Sequence, residues 1–155
     1  LWINGFGEWV NRRMERERMS GAESTRWVLV VEDSSAMRSF IRTTIEEMGN
    51  VSVMEAASGF DALRILPTRP FSLIITDINM PDINGLELIG YVKEHPHFSA
   101  IPMVIVSTEK TEEDRRRGIS LGAAGYLVKP FAPGDLQALV TRVLEEGREA
   151  EGIKN

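Results

Sequence analysis

The 155-residue chain is predicted to be an α/β protein built on a doubly wound, five-stranded parallel sheet. Three observations carry that prediction. Short β-rich runs and helix-period runs alternate strictly from residue 27 onward. The strand runs are apolar throughout rather than alternating, which suits a parallel sheet covered on both faces. Carboxylates, hydroxyls and a lysine gather where the strands end, and in such sheets ligands sit beyond the carboxyl ends of the strands.

The elements follow in order. Residues 27–31 form a first strand that ends at Glu32-Asp33. Ser34 or Ser35 caps the next helix, because a hydroxyl there can accept an orphan backbone N–H. Met37, Phe40, Ile41, Thr44, Ile45 and Met48 recur along it at helical spacing. Gly49-Asn50 stops it. A second strand, 51–56, leads to a short helix over 58–66, ended by Pro67. A third strand, 71–76, is followed by a loop over 81–84 and a helix over 85–92. The fourth strand is 102–106, then come a polar helix over 111–121, a fifth strand over 125–128 and a last helix over 133–146. The domain limits read as a leader over 1–24, one domain over 25–148 and a polar tail over 149–155.

Composition narrows the chemistry. The net charge is -5, which does not suit non-specific binding to DNA phosphates. There is no cysteine, so neither a disulfide framework nor thiolate chemistry applies, as befits a cytoplasmic protein. No apolar run approaches the roughly 18 residues of a membrane span. With two histidines and no cysteine, a transition-metal site is disfavoured.

The strand ends are the informative positions. They carry Glu32-Asp33, Asp77, Ser107-Thr108 and Lys129-Pro130, while the second strand ends uncharged at Ala56-Ala57. Carboxylates about 4 Å apart repel by roughly 4 kcal/mol at a near-surface dielectric. Either one of them protonates or a cation sits among them. Oxygen-only ligands on an open rim suit Mg²⁺, which keeps positions for water and phosphate. Lys129 can pair with Asp77 or with a phosphoryl oxygen. A carboxylate, a divalent metal, a lysine and a hydroxyl together make a phosphoryl-transfer site, with Asp77 as nucleophile.

At these residues the chain resembles the response-regulator receiver domain of two-component signalling. The matching stretches are "VLVVEDSSAMR", "LIITDINMPDINGLEL", "PMVIVSTE" and "GAAGYLVKPF", in that order. The resemblance implies a flavodoxin-like sheet of strand order 2-1-3-4-5. It implies a phosphoacceptor at Asp77, served by a histidine kinase or phosphotransfer protein. Mg²⁺ would be held by Asp33 and Asp77, by Glu32 through water and by the backbone carbonyl of Asn79. Ser107, Thr108 and Lys129 would bind the phosphoryl oxygens, and the Lys129-Pro130 peptide would be cis. Such a domain is a signalling element, not a classical enzyme, although it catalyses its own phosphorylation and dephosphorylation.

The resemblance also implies a switch. Phosphorylation would draw Ser107 inward and let Tyr126 rotate, reshaping the surface formed by 111–121, the fifth strand and 133–146 for a downstream protein. Asn79 and Glu109 would flank the path of the hydrolysing water. Thr108 stands where the family often has Ala or Gly, so its methyl and hydroxyl narrow that path.

Other readings are weaker. A phosphatase of the haloacid-dehalogenase type also uses an aspartate after a strand, but needs a second aspartate two residues on, where Asn79 stands. A flavin or nucleotide binder needs a phosphate loop after the first strand, and "EDSSAMR" opens on two carboxylates. A receiver used only for docking, or one excised from a longer response regulator or hybrid kinase, is compatible with the same residues. "EEDRRR" (112–117) reads as a solvated helix face, and His95 and His97 as surface loop residues. The leader is either an expression remnant, an upstream translation or an amphipathic helix with Ile3, Phe6, Val10 and Met14 on one face. Self-association is expected through that helix or through the switch surface.

Overall fold

The computed structural model describes residues 25–108 and 112–153. The leader and its expected helix lie outside the described residues. The elements are β1 (Arg26–Val31), α1 (Ser35–Glu46), β2 (Val51–Ala56), α2 (Gly59–Ile65), β3 (Phe71–Thr76), α3 (Gly85–Glu94), β4 (Met103–Ser107), α4 (Glu112–Ser120), β5 (Gly125–Val128) and α5 (Pro133–Ile153). A 3-10 turn, Leu66–Thr68, follows α2.

Local chemistry sets most boundaries. Ser34 caps α1 by accepting from the Met37 N–H at 3.3 Å, and Ser58 caps α2 by accepting from Asp61 at 3.1 Å. Asn84 and Glu87 form a reciprocal capping box at the start of α3. Gly49 and Asn50 both turn left-handed after α1. β4 starts one residue later than the sequence suggests, because Pro102 has no N–H for the ladder; only its carbonyl pairs, with Ile74 N.

The last helix departs from expectation. It runs past Glu146 to Ile153, so much of the expected tail over 149–155 is helical. Gly147 costs a helix about 1 kcal/mol, which neighbours such as Glu145, Glu146 and Arg148 offset by their own propensity.

All strand pairings are parallel, in the order β2-β1-β3-β4-β5. Alternate strand residues divide between two apolar layers. Leu29, Val31, Ile74, Met103 and Ile105 face one side, where α2 and α3 bring Ala62, Ile65, Leu88, Ile89 and Val92. Val28, Val30, Leu73, Ile75, Val104 and Val106 face the other, where α1 and α5 bring Ile41, Ile45, Leu136, Val140 and Val143. Each such Leu, Ile or Val contributes about 1.5–3 kcal/mol by leaving water. α4 adds little to this core, since Gly118 alone is buried among its residues. Its charge run is a solvated face.

Strand order changes direction between β1 and β3, which lie side by side with Val31 opposite Thr76. The residues that follow each strand therefore meet at the crevice where ligands bind in doubly wound sheets.

Candidate functional site

The β1–β3 and β1–β2 pairings deliver Asp77 and Glu32 to this crevice. Asp77 N donates to Val31 O at 3.0 Å, and Glu32 N donates to Ala56 O at 3.0 Å. Both residues are buried, at 8% and 2% exposure, while Asp33 is exposed beside them. One carboxylate oxygen of each of Glu32, Asp33 and Asp77 lies within 4.8 Å of the others.

Asp77 is fixed from several directions. Its Oδ1 accepts from the Ile78 N–H at 2.7 Å, and the Thr76 hydroxyl donates to its carbonyl at 2.9 Å. The loop then closes on itself, with Gly85 N donating to Ile78 O at 2.8 Å. A side chain at Gly85 would overlap the Asp77 carbonyl oxygen, so only glycine lets α3 begin this close to the carboxylate.

Lys129 reaches the site from the end of β5. Its backbone N–H donates to Ser107 O at 2.8 Å, and the Lys129-Pro130 peptide is cis. Its ammonium donates to Glu32 Oε2 at 2.7 Å and to Asp77 Oδ2 at 3.4 Å. Glu32 Oε1 accepts from Ser34 N at 3.1 Å. Burial pushes the Glu32 carboxyl above its ordinary 4.5; the Lys129 and Ser34 hydrogen bonds pull it down, and the Asp77 charge adds to the rise.

One ammonium faces three carboxylates, so the rim retains an excess of negative charge when all are ionised. The donors are hard oxygens only, converging from two strand ends, and they fit Mg²⁺ better than a transition metal.

The other expected site residues lie as follows. Ser107 is the last residue of β4 and fully buried; Thr108 follows it and is exposed. Asn79 is exposed in the loop after β3. Tyr126 is half-buried in β5, against the layer that holds Ile105. Glu109 lies outside the described residues. His95 caps the end of α3 and stacks on Phe98 at 4.3 Å between ring centroids, a local packing role.

Two contacts escaped the sequence reading. Arg38 donates to the Glu32 carbonyl at 2.7 Å. Asp82 accepts from Gly59 N at 3.0 Å and Phe60 N at 2.7 Å, tying the loop after β3 to the start of α2. The signals were present: a charged Glu55 inside a mostly apolar edge strand, and an aspartate directly after Met80-Pro81.

Comparison with known proteins agrees with this geometry. Residues 28–141 match the family model of the response regulator receiver domain. A chemotaxis protein CheY homolog of Campylobacter jejuni is 36% identical over 121 residues, covering 77% of this chain and 93% of its own. The solved chemotaxis protein CheY4 of Vibrio cholerae superposes with a TM-score of 0.72 at 34% identity, covering 77% of this chain and 98% of its own. A CheY-like response regulator receiver domain protein from Methanospirillum hungatei gives a TM-score of 0.76 at 25% identity, covering 82% and 99%. With its carboxylate rim, its Lys129 and its 2-1-3-4-5 sheet, the chain belongs to the response-regulator receiver domain family of two-component signalling.

Proposed function

We propose that the chain is a phosphorylatable receiver in which Asp77 accepts a phosphoryl group from a phosphohistidine donor. The observation that carries the reading is the convergence of Glu32, Asp33 and Asp77 within 4.8 Å, with Lys129 bonded among them. The donor is a histidine kinase or a phosphotransfer protein, met in the cytoplasm.

An Asp77 carboxylate oxygen attacks phosphorus in line with the phosphoimidazole nitrogen. The O–P bond forms as the N–P bond breaks, and the donor nitrogen keeps the electron pair and takes up a proton. Asp33, Asp77 and the Asn79 carbonyl would hold Mg²⁺, with Glu32 acting mostly through a bound water. The ion supplies charge neutralisation to the transferring oxygens. Lys129 adds its ammonium to the same oxygens, and Ser107 and Thr108 add hydroxyls.

The response follows from packing. Ser107, drawn toward the phosphoryl oxygens, leaves room for Tyr126, and the α4–β5–α5 surface shifts its population toward a partner-binding shape. Asn79, exposed two residues after Asp77, is placed to modulate hydrolysis, a role the family resemblance also assigns to Glu109.

The experiment is incubation with acetyl phosphate and Mg²⁺, read by intact mass. A single phosphoryl adduct that is absent in Asp77→Asn supports the reading. No adduct, or one that persists in Asp77→Asn, overturns it.

A further inference from the structure

We infer that Arg38, oriented by Glu55, is a positioning residue that sets the affinity of the acidic rim for its divalent cation. The inference rests on the proposed metal role of Glu32, Asp33 and Asp77.

β1 ends at Val31, and the chain turns through Glu32 and Asp33 into α1. Carbonyls at such a turn leave the strand ladder and need donors from elsewhere. Arg38, in the first turns of α1, supplies one: its Nη1 donates to Glu32 O at 2.7 Å and lies 3.5 Å from Asp33 O. The same two residues carry two of the three rim carboxylates.

The other edge of the guanidinium is held from β2. Arg38 Nε lies 3.3 Å from Glu55 Oε1. Glu55 Oε2 is in turn bonded by Arg42 Nη1 at 2.7 Å, and Arg42 Nε by Glu46 at 2.7 Å. A planar fork held on one edge and donating from the other is a geometry that lysine does not reproduce. The chain Glu46–Arg42–Glu55–Arg38 thus runs from α1 across β2 to the backbone of the acidic turn.

Two effects of Arg38 on a bound cation have opposite signs. As a positive charge near the rim, it repels Mg²⁺. As a clamp on the turn, it holds Glu32 and Asp33 in place and strengthens binding, as outer partners of metal ligands do. Glu55 and Arg38 largely cancel each other's field, and the donors point at carbonyls. The clamp therefore outweighs the repulsion.

The test is a Mg²⁺ titration by calorimetry on the full chain, with thermal melts to confirm folding. Arg38→Met is expected to weaken Mg²⁺ binding about tenfold, the lower end of the effect seen for outer partners of metal ligands. Arg38→Lys, which keeps the charge and loses the fork, is expected to fall between Arg38→Met and the wild type. Unchanged or tighter binding in Arg38→Met overturns the inference, since a purely electrostatic role predicts tightening. Should Arg38→Met not fold, Arg38→Lys decides alone: weaker binding supports the clamp, and wild-type binding overturns it. A wild-type chain that takes up no Mg²⁺ overturns the proposed metal role as well, and so separates the two failures.

Discussion

Lys129 is bonded more closely to Glu32 than to Asp77, at 2.7 Å against 3.4 Å. The ammonium that would serve the reaction thus rests on a neighbouring carboxylate, and both partners are nearly removed from water. Breaking such a pair from one side leaves a buried charge. Lys129→Met is expected to cost about 3 kcal/mol near neutral pH.

The pH dependence of that loss has a definite sign. The Glu32 carboxyl stands above its ordinary 4.5, chiefly through burial, with Lys129 as the largest opposing pull. A raised acid favours folding in its neutral form, so its contribution is full below 4.5 and is lost as pH rises through the folded value. Without Lys129 that folded value climbs further. Urea denaturation in EDTA should show Lys129→Met close to wild type in acid, with the deficit growing from about pH 4.5 upward. A deficit independent of pH would show that the ion pair is not its source.

Asp82 behaves oppositely. Burial is the largest single influence and pushes its carboxyl up, but the N–H groups of Phe60, Ile83, Gly59 and Asp82 itself together outweigh it and hold it below its ordinary 3.8. A lowered acid stabilises the fold in its charged form; the contribution is present above 3.8 and is lost as pH falls through the folded value. Asp82→Ala is expected to melt at lower temperature near neutral pH and to converge on wild type in acid. Amide exchange at Gly59 and Phe60 should speed up selectively in that variant, since these N–H groups lose their acceptor.

Gly85 and Gly118 offer a contrast. A methyl at position 85 meets the Asp77 carbonyl, which is backbone and cannot swing away. A methyl at 118 meets the tip of Ile105 at 2.5 Å, which can change rotamer. Gly85→Ala is therefore expected to cost about 3 kcal/mol, and Gly118→Ala about 1 kcal/mol after its gain in helix propensity. Denaturant midpoints would measure both, and equal losses would contradict the difference in what the methyls meet.

Thr108 is exposed directly after the buried Ser107. If Asp77 is the phosphoacceptor, the Thr108 side chain narrows water's approach. Loss of the phosphoryl group from Asp77, followed by intact mass, is expected to be faster in Thr108→Ala. An unchanged decay rate would remove Thr108 from the path.

The fold was legible because its signal is local. The apolar runs at β1, β3 and β4 are buried over most of their length, the break at Gly49-Asn50 is real, and at Pro67 the α-helix has given way to a 3-10 turn that runs through the proline. The convergence of Glu32, Asp33, Asp77 and Lys129 was legible because strand ends in a doubly wound sheet share a rim. The Arg38 and Asp82 contacts were not. Each joins a side chain to the backbone of a different element, and so depends on register and loop reach. Arg38 finds Glu55 only because β2 pairs with β1 so that Glu55 stands opposite Val30. The expected helix over 133–146 fell short of Ile153, since in the fold Gly147 is carried inside the helix.

Among the described residues, the order β2-β1-β3-β4-β5 leaves two strands with an open side. An open strand edge invites pairing with another chain. Here β5 offers a run of four residues, and β2 carries Glu55, already engaged by Arg38 and Arg42. Short length on one side and charge on the other both discourage sheet extension. An assembly that leaves both of these edges unpaired keeps the strand order of each copy intact.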